Sequence, residues 1–252
     1  MTVTTTSRAR SGRLDPDARG GLRLTMAALG GLVLAVPFAA LLLVVADRWG
    51  PLQRLDVRLD DDLNGYGVQH GGYVTVLKAI SLLGGPATFE LLAALVAVLL
   101  YIRRQPRLAT WLLVTVFGGG LLSTLVKLAV GRHRPAPPHP LAHAASASFP
   151  SGHALGVVVG AVALLLVGLP YVRRPFRGGV VGLAVLIVLA VGYSRLGLGL
   201  HYLSDVLGGY LLGAGWVALT TAAFAAWRRD RGLEDRPLTE GLEPAAPEPS
   251  TP

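Results

Sequence analysis

The chain has 252 residues, 52% of them hydrophobic and only 15% charged, with a mean hydropathy of +0.54, which is too apolar for a water-soluble domain of this length. It contains no cysteine, which excludes disulfide frameworks, thiolate metal sites and cysteine nucleophiles. The net charge of +8 does not point to nucleic acid, because the basic residues fall in short clusters between apolar runs, where a membrane-topology signal puts them.

Residues 1–23 are polar and Arg-rich, with almost nothing to bury, and read as a disordered basic cytoplasmic tail. The next run, Thr25–Ala46, has no charge and is longer than a signal-peptide core, so it is expected to be a retained spanning helix. The stretch Tyr73–Leu83 is amphipathic and ends in Gly84-Gly85-Pro86. It is expected to be an interfacial helix broken from the following span, with a single long kinked helix as the alternative. Further apolar runs cover about 85–102, 108–126, 154–172, 178–194 and 206–227. At 1.5 Å per residue, about 20 residues cross about 30 Å of hydrocarbon. The expected fold is therefore an all-α bundle of six transmembrane helices with an additional interfacial helix, occupying residues 24–230. Residues 231–252, rich in Pro and Glu, read as a second disordered tail.

Lys and Arg outside the spans set the orientation. Arg103, Arg104, Arg107, Arg173, Arg174 and Arg177 fall at one end, together with the basic residues of both tails. The positive-inside rule then makes this end and both termini cytoplasmic. The other end is extracytoplasmic and holds three short polar segments. These are Lys127-Leu-Ala-Val-Gly-Arg-His-Arg134-Pro135, Pro150-Ser151-Gly152-His153, and Ser194-Arg195 through His201 to Asp205.

Ionisable groups gathered at span ends cost free energy unless they are paired or solvated, so they mark a functional site. Lys127, Arg134 and Arg195 suit phosphate oxygens, and Ser151 and Gly152 open a helix whose free N–H groups favour an anion. His201 and Asp205 are spaced i, i+4, so the carboxylate can orient one imidazole nitrogen and leave the other as a nucleophile. His153 remains to act as a general acid. This is a full set of roles for phosphoryl transfer. No metal site is read from the three segments, so the cations are expected to replace a metal as clamp, with no cofactor. Each segment alone has an ordinary reading as a local hydrogen bond, a helix cap or interfacial basic residues. His133, His139 and His143 read as solvated loop residues, His70 as incidental, and Glu90 and Lys78 as interface or packing residues. Ser151 lacks the Gly-x-Ser-x-Gly elbow of a serine hydrolase.

With these residues in view, the sequence resembles the type-2 phosphatidic acid phosphatase superfamily in its membrane-bound branch. The family signature Lys-x6-Arg-Pro, Pro-Ser-Gly-His and Ser-Arg-x5-His-x3-Asp is met by Lys127, Arg134 and Pro135, by Pro150 to His153, and by Ser194, Arg195, His201 and Asp205. The resemblance covers roughly residues 73–215. It implies six spans and metal-independent hydrolysis of lipid phosphates or diphosphates through a phosphohistidine. It also implies roles for His201 as nucleophile, Asp205 as its partner and His153 as acid. Lys127, Arg134, Arg195, Ser151 and Gly152 form the phosphate pocket in that reading. Undecaprenyl-type diphosphate, phosphatidic acid and phosphatidylglycerophosphate are the implied substrate types. The rival readings are a non-enzymatic protein that binds or moves lipid phosphates, and a vanadate-binding haloperoxidase-like protein, whose branch is soluble.

Overall fold

The computed structural model describes residues 33–230. Both expected tails, and the first residues of the Thr25–Ala46 span, lie outside the described residues. Eight α-helices and one short 3-10 turn make up the described regular structure, and no strand occurs among the described residues. They are α1 (Val33–Ala46), α2 (Gly50–Gln69), α3 (Gly71–Leu83), α4 (Pro86–Ile102), α5 (Pro106–Val130), α6 (Gly152–Gly168), α7 (Arg174–Gly197) and α8 (Leu203–Asp230). Five stretches are long and apolar enough to cross a bilayer, and a sixth is counted when α1 and α2 are taken together as one bent span.

The chain turns by 86° between α1 and α2. Arg48, in the elbow, takes a left-handed backbone with φ 54°. The residues that α2 buries are polar, Asp56, Asp60 and Asn64, while Leu55, Tyr66 and Val68 on its remaining surface are exposed. A helix with that inverted pattern lies across the end of the bundle, covering polar groups beneath it. The interfacial helix of this fold is therefore α2, earlier in the chain than the stretch Tyr73–Leu83. That stretch belongs to α3, which runs on into α4 as one candidate span of 32 residues, Gly71–Ile102. Pro86 still marks the joint as the first residue of α4, where its missing N–H leaves no internal helical bond unmade. Gly84 sits there because α7 presses on it, and a β-carbon would meet Val191 at 2.1 Å.

The central helix is α6, packed against α4, α5, α7 and α8. Over half of its apolar window is buried, 56%, against 22–39% for the other spans, so the others give much of their surface to lipid. Hydrocarbon offers no hydrophobic drive for helix association, and close backbone approach has to supply it. Glycines make that approach possible. A β-carbon at Gly160 would lie 2.4 Å from that of Phe89 on α4, and one at Gly209 would lie 2.6 Å from the Ser151 carbonyl oxygen. The second contact sets the start of α6 directly against the start of α8, and this joins two of the three polar segments.

Candidate functional site

Local sequence aims each polar segment at the same place. Gly131, with φ 61°, caps α5 in the left-handed conformation that glycine adopts without a Cβ penalty, and its N–H donates to the Lys127 carbonyl. The chain is thereby turned so that Lys127 in the last helical turn and Arg132 and Arg134 just beyond it face the cover helix and the loop. Ser151 caps α6, accepting from the Ala154 N–H at 3.4 Å, and its own N–H donates to the Asp205 carbonyl at 2.9 Å. The amides of Gly152 and His153 in the first turn have no backbone acceptor. Gly199, with φ 64°, turns the chain between α7 and α8 and delivers His201 to the head of α8.

His201 is 2% exposed. Its Nε2 lies 3.0 Å from Arg134 Nη1 and its Nδ1 lies 3.5 Å from Asp205 Oδ2. A guanidinium can only donate, so Nε2 must carry the lone pair and Nδ1 the proton, directed towards Asp205 and the nearby Ser148 hydroxyl. Burial pulls the imidazole pKa down to about 4, against the opposing hydrogen bond and charge of Asp205. At neutral pH His201 is thus an uncharged imidazole, with its lone pair facing a cation.

Lys127 Nζ donates to the Ala147 carbonyl at 2.5 Å, and Arg134 donates to Ser146 and to the Leu200 carbonyl, so the loop holds both cations in place. Arg195 is 6% exposed; its Nη1 donates to Ser81 Oγ at 2.5 Å while its buried Nε has no partner. His153 Nε2 lies 3.5 Å from where a β-carbon on Gly85 would stand, which sets the ring against the α3–α4 joint. The charges of Arg195, His201, Arg134 and Lys127 all act on this ring. A β-carbon at Gly152 would lie 3.7 Å from Lys127 Cε. The sequence-predicted residues Lys127, Arg134, Gly152, His153, Arg195, His201 and Asp205 therefore come together. Ser151 is buried beside them with its hydroxyl committed to the cap. His133, His139 and His143 are exposed, as expected, and His70 is exposed too.

Sequence reasoning gave no role to a second layer behind Asp205. Arg132 donates from Nη1 to Asp205 Oδ1 at 2.6 Å and from Nη2 to Asp56 Oδ2 at 2.8 Å. Asp56, on α2, accepts from both the amide and the hydroxyl of Ser204, at 3.0 and 2.5 Å. Ser148 Oγ donates to Asp205 Oδ2, which also accepts from the Tyr202 amide at 2.9 Å. Burial opposes the charge of Arg132, yet its two carboxylate partners outweigh it and raise its pKa above the ordinary value. A pair so enclosed keeps Asp205 ionised and fixed in orientation.

The family profile of the PAP2 superfamily matches residues 108–229, which takes in all three polar segments. The chain belongs to the PAP2 superfamily. It is 36% identical over 126 residues to a lipid A 1-phosphatase of Rhizobium etli, covering 46% of this chain and 49% of that protein. It is 40% identical over 111 residues to phosphatidylglycerophosphatase B of Bacillus subtilis, covering 41% and 54%. An undecaprenyl-diphosphatase of Sulfolobus acidocaldarius is 39% identical over 71 residues, covering 28% and 30%. The first two matches each span about half the length of the relative. The crystal structure of a transmembrane PAP2-type phosphatidylglycerolphosphate phosphatase from Bacillus subtilis superposes with a TM-score of 0.66 at 25% identity, covering 81% of this chain and 98% of that one. This PAP2 protein is an integral membrane protein of helical architecture.

Proposed function

We propose that this PAP2 protein is a metal-independent phosphatase of lipid phosphates or diphosphates, acting through a phosphohistidine on the extracytoplasmic face of the cell membrane. The observation that carries the reading is the uncharged His201 imidazole, its Nε2 lone pair 3.0 Å from Arg134 and its Nδ1 backed by Asp205. In the first step Nε2 forms a bond to phosphorus while the bond from phosphorus to the lipid oxygen breaks. His153 delivers a proton to that leaving oxygen. Lys127, Arg134, Arg195 and the free amides at the start of α6 hold the equatorial oxygens, with the unpartnered Nε of Arg195 as one available donor. In the second step water attacks phosphorus, His153 takes its proton, and the electron pair of the P–N bond returns to Nε2. The products are the lipid alcohol, or its monophosphate from a diphosphate, and inorganic phosphate.

Arg103, Arg104, Arg107 and Arg173 sit at the bundle end opposite the site, which supports a cytoplasmic placement of that end. The relatives named above act on lipid A, phosphatidylglycerophosphate and undecaprenyl diphosphate, and phosphatidic acid is of the same chemical kind. Purified protein in detergent with excess EDTA is expected to release phosphate from such lipids. His201→Ala is expected to lower kcat by about a thousandfold or more, the scale for loss of a covalent nucleophile. Undiminished turnover in that variant removes the nucleophile assignment.

A further inference from the structure

A groove of about 530 Å³ leaves the phosphate cup between α4, α5 and α6 and descends along the lipid-facing side of the bundle. Its mouth is formed by Lys127 and Gly152, so it is continuous with the cup. Its floor on α5 follows one helix face from Lys127 through Ser123 and Gly120 to Val116, about 16 Å at 1.5 Å per residue. A channel that served only to admit a hydrocarbon chain needs apolar walls. This one contains two polar side chains without partners. Ser123 borders the groove and is 5% exposed, and its buried Oγ, 3.5 Å from where a β-carbon on Gly152 would stand, makes no hydrogen bond among the described residues. Glu90 makes no hydrogen bond or ion pair among the described residues, and its carboxyl lies over Gly120, with Oε1 3.5 Å from where a β-carbon would stand. Gly120 is two helical turns below Lys127, about 10 Å deeper in the bilayer.

Polar groups at that depth cost free energy unless they are matched. Their positions correspond to the part of a bound lipid just inside its phosphate. In acyl lipids that part carries ester, amide or hydroxyl groups, and in polyprenyl lipids it is hydrocarbon. We propose that Ser123 and Glu90 form a selectivity subsite, in which the Ser123 hydroxyl donates to a carbonyl adjoining the phosphate and the Glu90 carboxylate accepts from a hydroxyl or amide N–H there, so that acyl-lipid phosphates are preferred over polyprenyl phosphates. This rests on the catalytic reading above and narrows its substrate class.

The test compares kcat/KM for four monophosphates: diacylglycerol phosphate, its dialkyl ether analogue, ceramide 1-phosphate and a polyprenyl phosphate. The ether removes the carbonyls, and the ceramide offers an amide and a hydroxyl in their place. The wild type is expected to favour the acyl substrates over both the ether and the polyprenyl phosphate. Ser123→Ala is expected to lower the acyl-to-ether ratio about tenfold, and Glu90→Leu to lower the ceramide-to-polyprenyl ratio about tenfold, the scale of one hydrogen bond to a group otherwise left unmatched. A greater loss on the diester assigns the subsite to ester carbonyls, and a greater loss on the ceramide assigns it to amide and hydroxyl groups. Binding of non-hydrolysable diacyl and dialkyl phosphonates to His201→Ala protein reads the groove without turnover. If no lipid phosphate is hydrolysed, the catalytic reading fails while this binding preference still decides the subsite. Equal treatment of diacyl and dialkyl lipids by the wild type, in turnover and in binding, overturns the proposal, as does an unchanged ratio in both variants.

Discussion

The two walls of the candidate site are built on opposite plans. On the side of α2 and α8, every oxygen of Asp56 and Asp205 has a donor, and Arg132 joins the two carboxylates. On the side of α4 and α5, Ser123 and Glu90 have no partner among the described residues and border an open groove. A saturated network fixes one geometry, because each group has only one low-energy arrangement. An unsaturated wall has bonding capacity left over for a ligand. The same bundle thus holds the His201 imidazole still and leaves the groove beside it chemically unfinished.

That contrast can be broken from the saturated side first. Asp56→Ala leaves Arg132 with a single carboxylate and strips the Ser204 amide and hydroxyl of their acceptor. Removing one partner of a buried pair costs about 3–5 kcal/mol, so a large fall in thermal midpoint is expected together with a loss of kcat. Differential scanning fluorimetry in detergent and a phosphate-release assay check both. A midpoint within error of the wild type would remove the structural role given to this layer.

A smaller effect sharpens the account of His201. Its folded pKa of about 4 lies below the ordinary imidazole value near 6.5, so the unfolded chain takes up the proton first as pH falls. The contribution of neutral His201 to stability is therefore full above about pH 6.5 and declines as the pH drops towards 4. Within the folded protein the ring is expected to stay neutral down to about pH 4, as read by NMR of ring-labelled histidine, with His201→Ala identifying the signal. A midpoint near 6.5 would show that burial does not control it.

The smallest effect concerns the one flaw in the saturated wall. Asp60 is buried on α2 with Oδ1 unpartnered, and burial, aided by the charge of Asp61, pushes its pKa up to about 6. Its folded pKa is raised, so its favourable contribution is present below about pH 4 and is lost as pH rises through 6. Asp60→Asn is expected to raise the thermal midpoint at pH 8 and to change it little at pH 4. The reverse pattern would mean that the carboxylate has a partner in solution.

The sequence made the front of the site legible because its chemistry is carried by local spacings. His201 and Asp205 are four residues apart at the head of α8, and Lys127 and Arg134 flank the single glycine that ends α5. The supporting layer was not legible, because its partners meet only through the fold: Asp56 and Ser204 are 148 residues apart and Arg132 and Asp205 are 73 apart. The helix α2 escaped for a related reason. Its inward stripe at Asp56, Asp60 and Asn64 has helical spacing, but a search for apolar stripes passes over a polar one. The Gly84-Gly85-Pro86 motif did mark a joint. Whether the two helical pieces continue as one span depends on packing against α7, and local sequence does not encode that.

The contact between Gly209 and the Ser151 carbonyl oxygen has a mechanical consequence. With no side chain between them, and with the Ser151 amide tied to the Asp205 carbonyl, the heads of α6 and α8 form a single stiff joint that carries both histidines. The distance between the His153 and His201 rings is therefore set by the backbone of one joint and does not depend on the loops that bring in the three cations.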